Sequence, residues 1–332
     1  MNNLNFFPAK PEKTVLVLGA AGRLGLAATK AFVHAGWTVW AQARKPIQGL
    51  PRGRVKVLQA DVLEIDRIIE SCGKVDVIVH AINPDYARWD LLLPPITAAV
   101  LHIAKALNAH VMIPGNVYNF GQELPEMLDE GTAFVANTEK ASQRIQMEAS
   151  FSTAADELGV STVVIRAGDF IGGRGTWLDM GITKNLHKAV FTTMGPGHLP
   201  HAWAYLPDLA KVFVLVAEKR EVLPRFDVLH FPGYRASQLE LQSAFEQLMG
   251  HPLKVKPMPW GLMKMIAWFS PMLKAVLKMR YLWERPHQLS GDKLLRLIGP
   301  IPHTPLKLAL REYLPKNKKS QPRALAEISI ES

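Results

Sequence analysis

The chain has 332 residues, 48% hydrophobic and 20% charged, which excludes global disorder and leaves room for one large α/β domain or a domain with a smaller partner. Its single cysteine, Cys72, excludes an intrachain disulfide and a cysteine-built metal site, and fits a reducing compartment. The net charge of +10 is local: residues 251–332 carry 15 Lys and Arg against 5 Asp and Glu, while the first 250 residues are neutral.

Met1–Lys13 lacks the charged start and apolar core of a secretory signal, and no run reaches the ~18 consecutive apolar residues of a membrane span, so a cytoplasmic location is expected. The first element is a buried strand at Thr14–Leu18, apolar and β-branched. Gly19-x-x-Gly22-x-x-Gly25 follows at once, then an amphipathic helix over Leu24–Ala35 with Leu24, Ala27, Ala28, Ala31, Phe32 and Ala35 on one stripe. Strand, glycines and helix in that order predict a dinucleotide site. The glycines allow a tight turn, a close approach of pyrophosphate to main chain, and close packing of helix on strand. The loop backbone at Gly19, Ala21, Gly22, Arg23, Leu24 and Gly25 is the expected anion cradle.

Further strands are expected at Thr38–Ala41, Val55–Gln59, Val75–His80, Val111–Ile113 and Ser161–Arg166. Helices are expected near Leu63–Ser71, Ile96–Leu107 and Thr138–Leu158. This alternation predicts βαβ units, right-handed crossovers and an α/β fold with a doubly wound parallel sheet of Rossmann type, its ligand at the C-terminal strand ends. The rhythm fails after Arg166, where glycines crowd one loop and Met194–Pro207 is rich in Gly, Pro, His and Trp. A helix at Pro207–Lys219 and a strand at Phe226–His230 return to the sheet. Pro257–Trp283 reads as a Met- and Trp-rich helical pair divided at Ser270-Pro271, with Ser as N-cap and Pro at the first helical position. Residues 12–172, rejoined by 205–232, are therefore expected to form the dinucleotide-binding domain. Residues 173–204 and 233–314 form a smaller, mostly helical substrate-binding part, and 315–332 a basic mobile tail.

The end of the second strand reads Gln42-Ala43-Arg44-Lys45, with no acid to accept from a ribose 2′-OH. Arg44, with Arg23 nearby, suits a 2′-phosphate, so NADP(H) is preferred over NAD(H). Asp61, after the third strand, either accepts from the adenine amino group or caps a helix.

These residues resemble the short-chain dehydrogenase/reductase superfamily, and more closely its extended and atypical branch, the NAD-dependent epimerase/dehydratase family. The resemblance runs from about Lys13 to Leu314. Besides the glycines, Asp61-Val62 matches the adenine-contacting Asp, and His80-Ala81 the pair closing the fourth strand over the cofactor. Val117-Tyr118, preceded by Asn116, matches the Val-Tyr after the fifth strand. Arg166-Ala167-Gly168 resembles the Arg-Pro-Gly that holds the nicotinamide amide, and Tyr205-Leu206-Pro207-Asp208 a late Val-Asp-Asp element. The resemblance implies a Tyr and a Lys four residues later, plus an upstream Ser, for proton transfer. Lys140 stands at the Tyr position, Arg144 at the Lys position and Pro114-Gly115 at the Ser position. No Tyr-x-x-x-Lys occurs anywhere in the chain.

Lys140, Arg144 and Glu148 form a polar row at i, i+4, i+8, which either lines a cleft or is a solvated salt-bridged face. As proton donor, Lys140 needs a depressed pKa, obtainable by burial beside Arg144. Arg144 is a candidate for the cofactor ribose or phosphate. Tyr118 and Asp169 are the alternative catalytic candidates, with Asn83, Tyr86, Trp203 and Tyr205 on loops at the same edge. His198 and His201 lack a third ligand of suitable spacing, so no metal is expected. Residues 261–283 read either as a lid forming an apolar wall or as an interfacial helix on an anionic membrane. Specific nucleic-acid binding is not expected, since the basic tail lacks aromatic interleaving. Two functions follow: an NADP(H)-dependent oxidoreductase acting on a carbonyl or hydroxyl group of a largely apolar small molecule, or a catalytically inactive NADP(H)-binding sensor of the same fold. Both leave the oligomeric state open, a homodimer included.

Overall fold

The computed structural model describes residues 12–315. Its first half supplies β1 (Thr14–Leu18), α1 (Arg23–His34), β2 (Thr38–Ala43), β3 (Val55–Gln59), α2 (Ile65–Cys72), β4 (Val77–His80), α3 (Trp89–Leu107) and β5 (His110–Gly115). A two-residue strand β6 (Met127–Leu128), then α4 (Glu139–Glu157) and β7 (Thr162–Arg166), complete the βαβ rhythm. Beyond Arg166 come β8 (Asp169–Ile171), β9 (Val190–Thr193), β10 (Pro200–Tyr205), α5 (Leu206–Ala217), β11 (Phe226–His230), β12 (Tyr234–Ser237), α6 (Gln238–Met249) and β13 (Lys254–Pro257). Two short helices, α7 (Trp260–Ala267) and α8 (Pro271–Lys278), precede β14 (Gln288–Leu289) and α9 (Asp292–Ile298).

Seven strands form one parallel sheet in the order β3-β2-β1-β4-β5-β7-β11. The order reverses between β1 and β4, and that switch point opens a crevice at the strands' C-terminal ends. Alternation along β1 assigns its side chains to two layers. Leu16 and Leu18 face Ile68 of α2, Val100 of α3 and Phe151 of α4, whereas Val15 and Val17 face Phe32 of α1 and Phe213 of α5. A third core joins Ile171, Phe191, Trp203, Phe245, Trp260 and Trp283, so the segments after β7 have a packed interior of their own.

One expectation needs correction. α3 begins at Trp89, not Ile96, and runs through Pro94 and Pro95. Those prolines remove backbone donors, but Trp89 and Leu93 are buried in the core and hold the extra turns. With the preceding turn, Tyr86–Leu107 becomes a 22-residue helix long and apolar enough, by composition, to cross a membrane; its Trp89, Ile96, Val100 and Ile103 face lies in the core. The part after β7 is mostly helical, and it also carries short strands not expected from the sequence. β10 lies inside the Gly-, Pro- and His-rich stretch and pairs with β8 and β12, while β9 pairs with β13 and β6 with β14. Backbone pairing with distant strands, invisible in local composition, decides this. The expected tail from 316 onward lies outside the described residues.

Candidate active site

The glycine loop is built by close approach. Gly19 has φ +80°, and a Cβ on Gly25 would stand 2.2 Å from the Gly19 carbonyl oxygen, so only a bare α-carbon lets α1 start there. A Cβ on Gly22 would also press the Gly19 carbonyl, at 3.2 Å. Gly22 caps α1 with no side-chain hydrogen bond, so the first-turn N–H groups after it have no capping side chain, as an anion cradle requires. Ala21 is exposed on the loop, Leu24 is buried beneath it, and Ala81 at the end of β4 borders Gly22.

Gln42 fixes this loop from β2. Its backbone and side-chain oxygens accept from Gly19 N, its backbone oxygen also from Ala20 N, and its side-chain amide donates to the Ala60 carbonyl. The side chain is thus spent inward, and Arg44, 77% exposed, is the cation at the crevice rim. Asp61 does two jobs: Oδ1 accepts from Leu63 N at the start of α2, and Oδ2 stands 3.9 Å from Arg44. Val62 is buried behind it. Arg23 turns away from this end; its guanidinium donates to the Arg174 and Gly175 carbonyls. This tether joins the glycine loop to the loop after β8, which is a different task from the second phosphate cation expected of it.

The helix α4 carries no solvated salt-bridged face at Lys140, Arg144 and Glu148. All three are buried. Lys140 Nζ donates to the Tyr86 carbonyl at 2.5 Å and to Gln143 Oε1, and sits 4.8 Å over the Trp89 ring. Burial lowers its pKa; Glu139 opposes that shift and Lys278 assists it, so its neighbouring cation is Lys278 rather than Arg144. Arg144 donates to the Pro114 carbonyl at 2.6 Å and stands 3.8 Å from Glu148, which pairs at 2.7 Å with fully buried Arg166. Arg166 also donates to the Asn116 carbonyl, and the Asn116 side chain accepts from Tyr118 N. His80 is buried behind this row, its pKa pushed down to about 3 by burial and then by Arg144, so it is neutral.

Tyr118 and Tyr86 join hydroxyls at 2.7 Å. Burial raises both their pKa values; the bond between them raises that of Tyr118 further and works against the rise at Tyr86. Asp169 follows Gly168, whose α-hydrogen faces the Ala202 carbonyl so closely that a Cβ would meet it at 2.2 Å. The Asp169 carboxylate is 19% exposed and near enough to Tyr86, Tyr118 and Tyr281 for its charge to raise the pKa of each. Its Oδ2 lies 2.8 Å from Nε2 of buried His201, whose ring stacks on Trp283 at 4.3 Å and meets His287 edge-on at 4.4 Å. His201, His287, Trp283 and Tyr281 were not expected together. The signal for His201 was present as the alternation of His201, Trp203 and Tyr205 along β10, but nothing local identifies Asp169 as its partner. Among the described residues no three His, Cys, Asp or Glu side chains are grouped to hold a metal ion.

A model of the NAD dependent epimerase/dehydratase family matches residues 15–228. Solved structures share the fold at low identity. UDP-glucuronic acid 4-epimerase from Bacillus cereus, in complex with UDP-glucuronic acid and NAD, is 16% identical, with 90% of this chain and 98% of that chain covered and a TM-score of 0.71. UDP-galactose 4-epimerase is 16% identical over 90% and 97% of the two chains, TM-score 0.65. The epimerase Mth375 from Methanothermobacter thermautotrophicus is 16% identical over 90% and 90%, TM-score 0.71. No curated protein sequence matches the chain.

Proposed function

The chain belongs to the NAD dependent epimerase/dehydratase family and is thus an NAD(P)-dependent enzyme; on that premise we propose that it oxidises or reduces a carbonyl/hydroxyl group of a largely apolar small molecule with NADP(H). The observation that carries the reading is the Asp169–His201 pair beside the Tyr86–Tyr118 hydroxyls, a proton-handling group in a chain without Tyr-x-x-x-Lys. The backbone at Gly19, Ala21, Gly22, Leu24 and Gly25 holds the pyrophosphate, with Arg23 keeping the loop in place. Arg44 takes the 2′-phosphate, Asp61 and Val62 flank the adenine, and His80, Ala81, Asn116 and Gly168 wall the nicotinamide end. When bound, the dinucleotide supplies the hydride acceptor or donor.

Asp169 takes the proton of an alcohol undergoing oxidation, and as a carboxylic acid returns it to a carbonyl undergoing reduction. His201 donates to Oδ2 and so fixes the orientation of the other oxygen. Tyr118 is a weaker choice, because burial disfavours its phenolate and the charges of Tyr86 and Asp169 disfavour it further. Lys140 acts as a strut, its ammonium committed to the Tyr86 carbonyl, and Arg144 holds the Pro114 turn. The inward side of residues 261–283, where Ala267, Ala275 and Trp283 are buried, provides the apolar wall, and the exposed side a peripheral contact with an anionic membrane.

Turnover of NADPH against aldehydes, ketones and quinones tests this reading. Asp169→Asn is expected to abolish turnover while NADPH affinity, measured by calorimetry, stays unchanged. Lys140→Met and Tyr118→Phe are expected to retain activity. Full turnover in Asp169→Asn overturns the assignment, and binding without any turnover favours the sensor.

A further inference from the structure

We infer that the α7–α8 hairpin seats the protein on an anionic phospholipid surface, with the site's mouth against the bilayer, so that the substrate is a lipid-soluble molecule drawn from the membrane. This deepens the oxidoreductase reading and rests on it for the substrate alone.

The two helices meet at Trp268-Phe269-Ser270, where the Ser270 hydroxyl accepts from Leu273 N and Pro271 starts α8. Trp268 is 88% exposed and Phe269 87%, and Met265 at 73% continues the patch toward Leu262, Ile266 and Met272. The hairpin is nonetheless anchored. Trp260 is buried and donates to the Met194 carbonyl at 2.7 Å, Ala267 of α7 and Ala275 of α8 are buried, and Trp283 is sunk in the third core. One face is therefore held by the protein while the other presents its largest aromatic side chains to water, and among the described residues nothing covers it. Leaving that much apolar surface wet is unfavourable unless something else buries it.

The charge around the tip selects the occupant. Between Gln247 and Trp283 there is no Asp or Glu; Lys264 and Lys274 lie on the two helices and Lys254 and Lys256 on β13 before them, while Lys278 and Arg280, at and just beyond the end of α8 away from the tip, pair with Glu139 and Glu284. A hairpin that carries lysines and no acid behind a Trp-Phe tip complements an anionic headgroup layer, where indole and phenyl rings settle at the polar boundary. A second copy of the chain would bring like charges together across a two-fold axis. Each helix has eight residues, about 12 Å, so the hairpin can rest in the interface and cannot cross it.

The hairpin's inner side leads to the site. α8 packs on the turn Tyr86–Arg88, Lys278 bonds Glu139 at 2.6 Å immediately before Lys140, and Tyr281 follows near Asp169. Seating the tip in headgroups thus brings Tyr86 and Tyr281 toward the membrane.

The full chain is floated with phosphatidylcholine vesicles and with phosphatidylcholine–phosphatidylglycerol vesicles at low and high salt. Binding is expected to the anionic vesicles only, weakened by salt, and reduced at least about tenfold by the double variant W268S/F269S. The variant's melting temperature and NADPH affinity should be unchanged, since both side chains are exposed. Equal binding by the variant overturns the proposal, as does absence of wild-type binding at low salt. So does a wild-type dimer that the variant dissolves, which would assign the face to a second copy. For substrate source, the variant should lose turnover of a long-chain aldehyde held in vesicles and keep that of a short soluble aldehyde; parallel loss of both overturns delivery from the bilayer. Vesicle binding needs no turnover, so failure of the oxidoreductase reading would leave the docking result standing.

Discussion

Glu148 and Arg166 form a 2.7 Å ion pair with both side chains sealed from solvent, and Arg144 approaches the same carboxylate to 3.8 Å. One anion therefore compensates two buried cations, and it lies on the helix that resembles a catalytic helix elsewhere in the family. Glu148→Gln keeps the volume and removes the charge. The expected loss is about 3–5 kcal/mol of folding stability, because two guanidiniums are left uncompensated in the core. Urea denaturation checks it, and a loss below about 1 kcal/mol would mean the network has no such role.

Gly25→Ala should reverse the usual helix preference. Alanine normally favours a helix by about 1 kcal/mol over glycine, yet here its Cβ would stand 2.2 Å from the Gly19 carbonyl. The variant is expected to melt lower and to show no melting shift with NADPH. A stabilised variant that still responds to the dinucleotide would refute the close-approach argument.

Arg44→Ala tests cofactor choice. Arg44 is exposed at the end of β2 and its contact with Asp61 is loose, so removing it should disturb the fold little. Affinity for NADP(H) should fall about tenfold or more while that for NAD(H) is unchanged, the loss of one charge-assisted bond to a phosphate. Equal effects on both would place the 2′-phosphate elsewhere.

Stability should fall on mild acidification. His80 and His287 are buried and neutral with pKa values near 3, while His110 and His230 lie near 4. Unfolding returns each to about 6.5, so between about pH 6.5 and 4 the unfolded chain binds more protons than the native one. The stabilisation is complete above pH 6.5 and is lost as pH falls toward the native values, by up to about 1.4 kcal/mol per pH unit for each group. His80→Leu should flatten urea stability against pH over this window by about one proton; an unchanged slope would show that His80 titrates alike in both states.

The sheet was largely legible from sequence because its signals are local. β-branched runs, a 3.6-residue stripe and glycines at fixed spacing each report on a few neighbouring residues, and β1, β3 and β11 begin and end where those signals do. α3 was cut short because two prolines are a strong local stop, whereas the burial of Trp89 that overrides them depends on the packed sheet. The polar row on α4 had two readings because helical spacing is the same for a wet face and a buried one. The choice is made by Pro114, Tyr86 and Arg166, all remote in the chain.

The sequence by itself determined a tight glycine turn at Gly19–Gly25 and a parallel sheet around it, since both follow from stereochemistry and periodicity along the chain. Only the tertiary structure decided that Asp169 meets His201, that Arg23 ties two loops together and that Trp268 and Phe269 stand in water. Those outcomes depend on which distant segments share space, and burial and charge pairing are fixed only once they do.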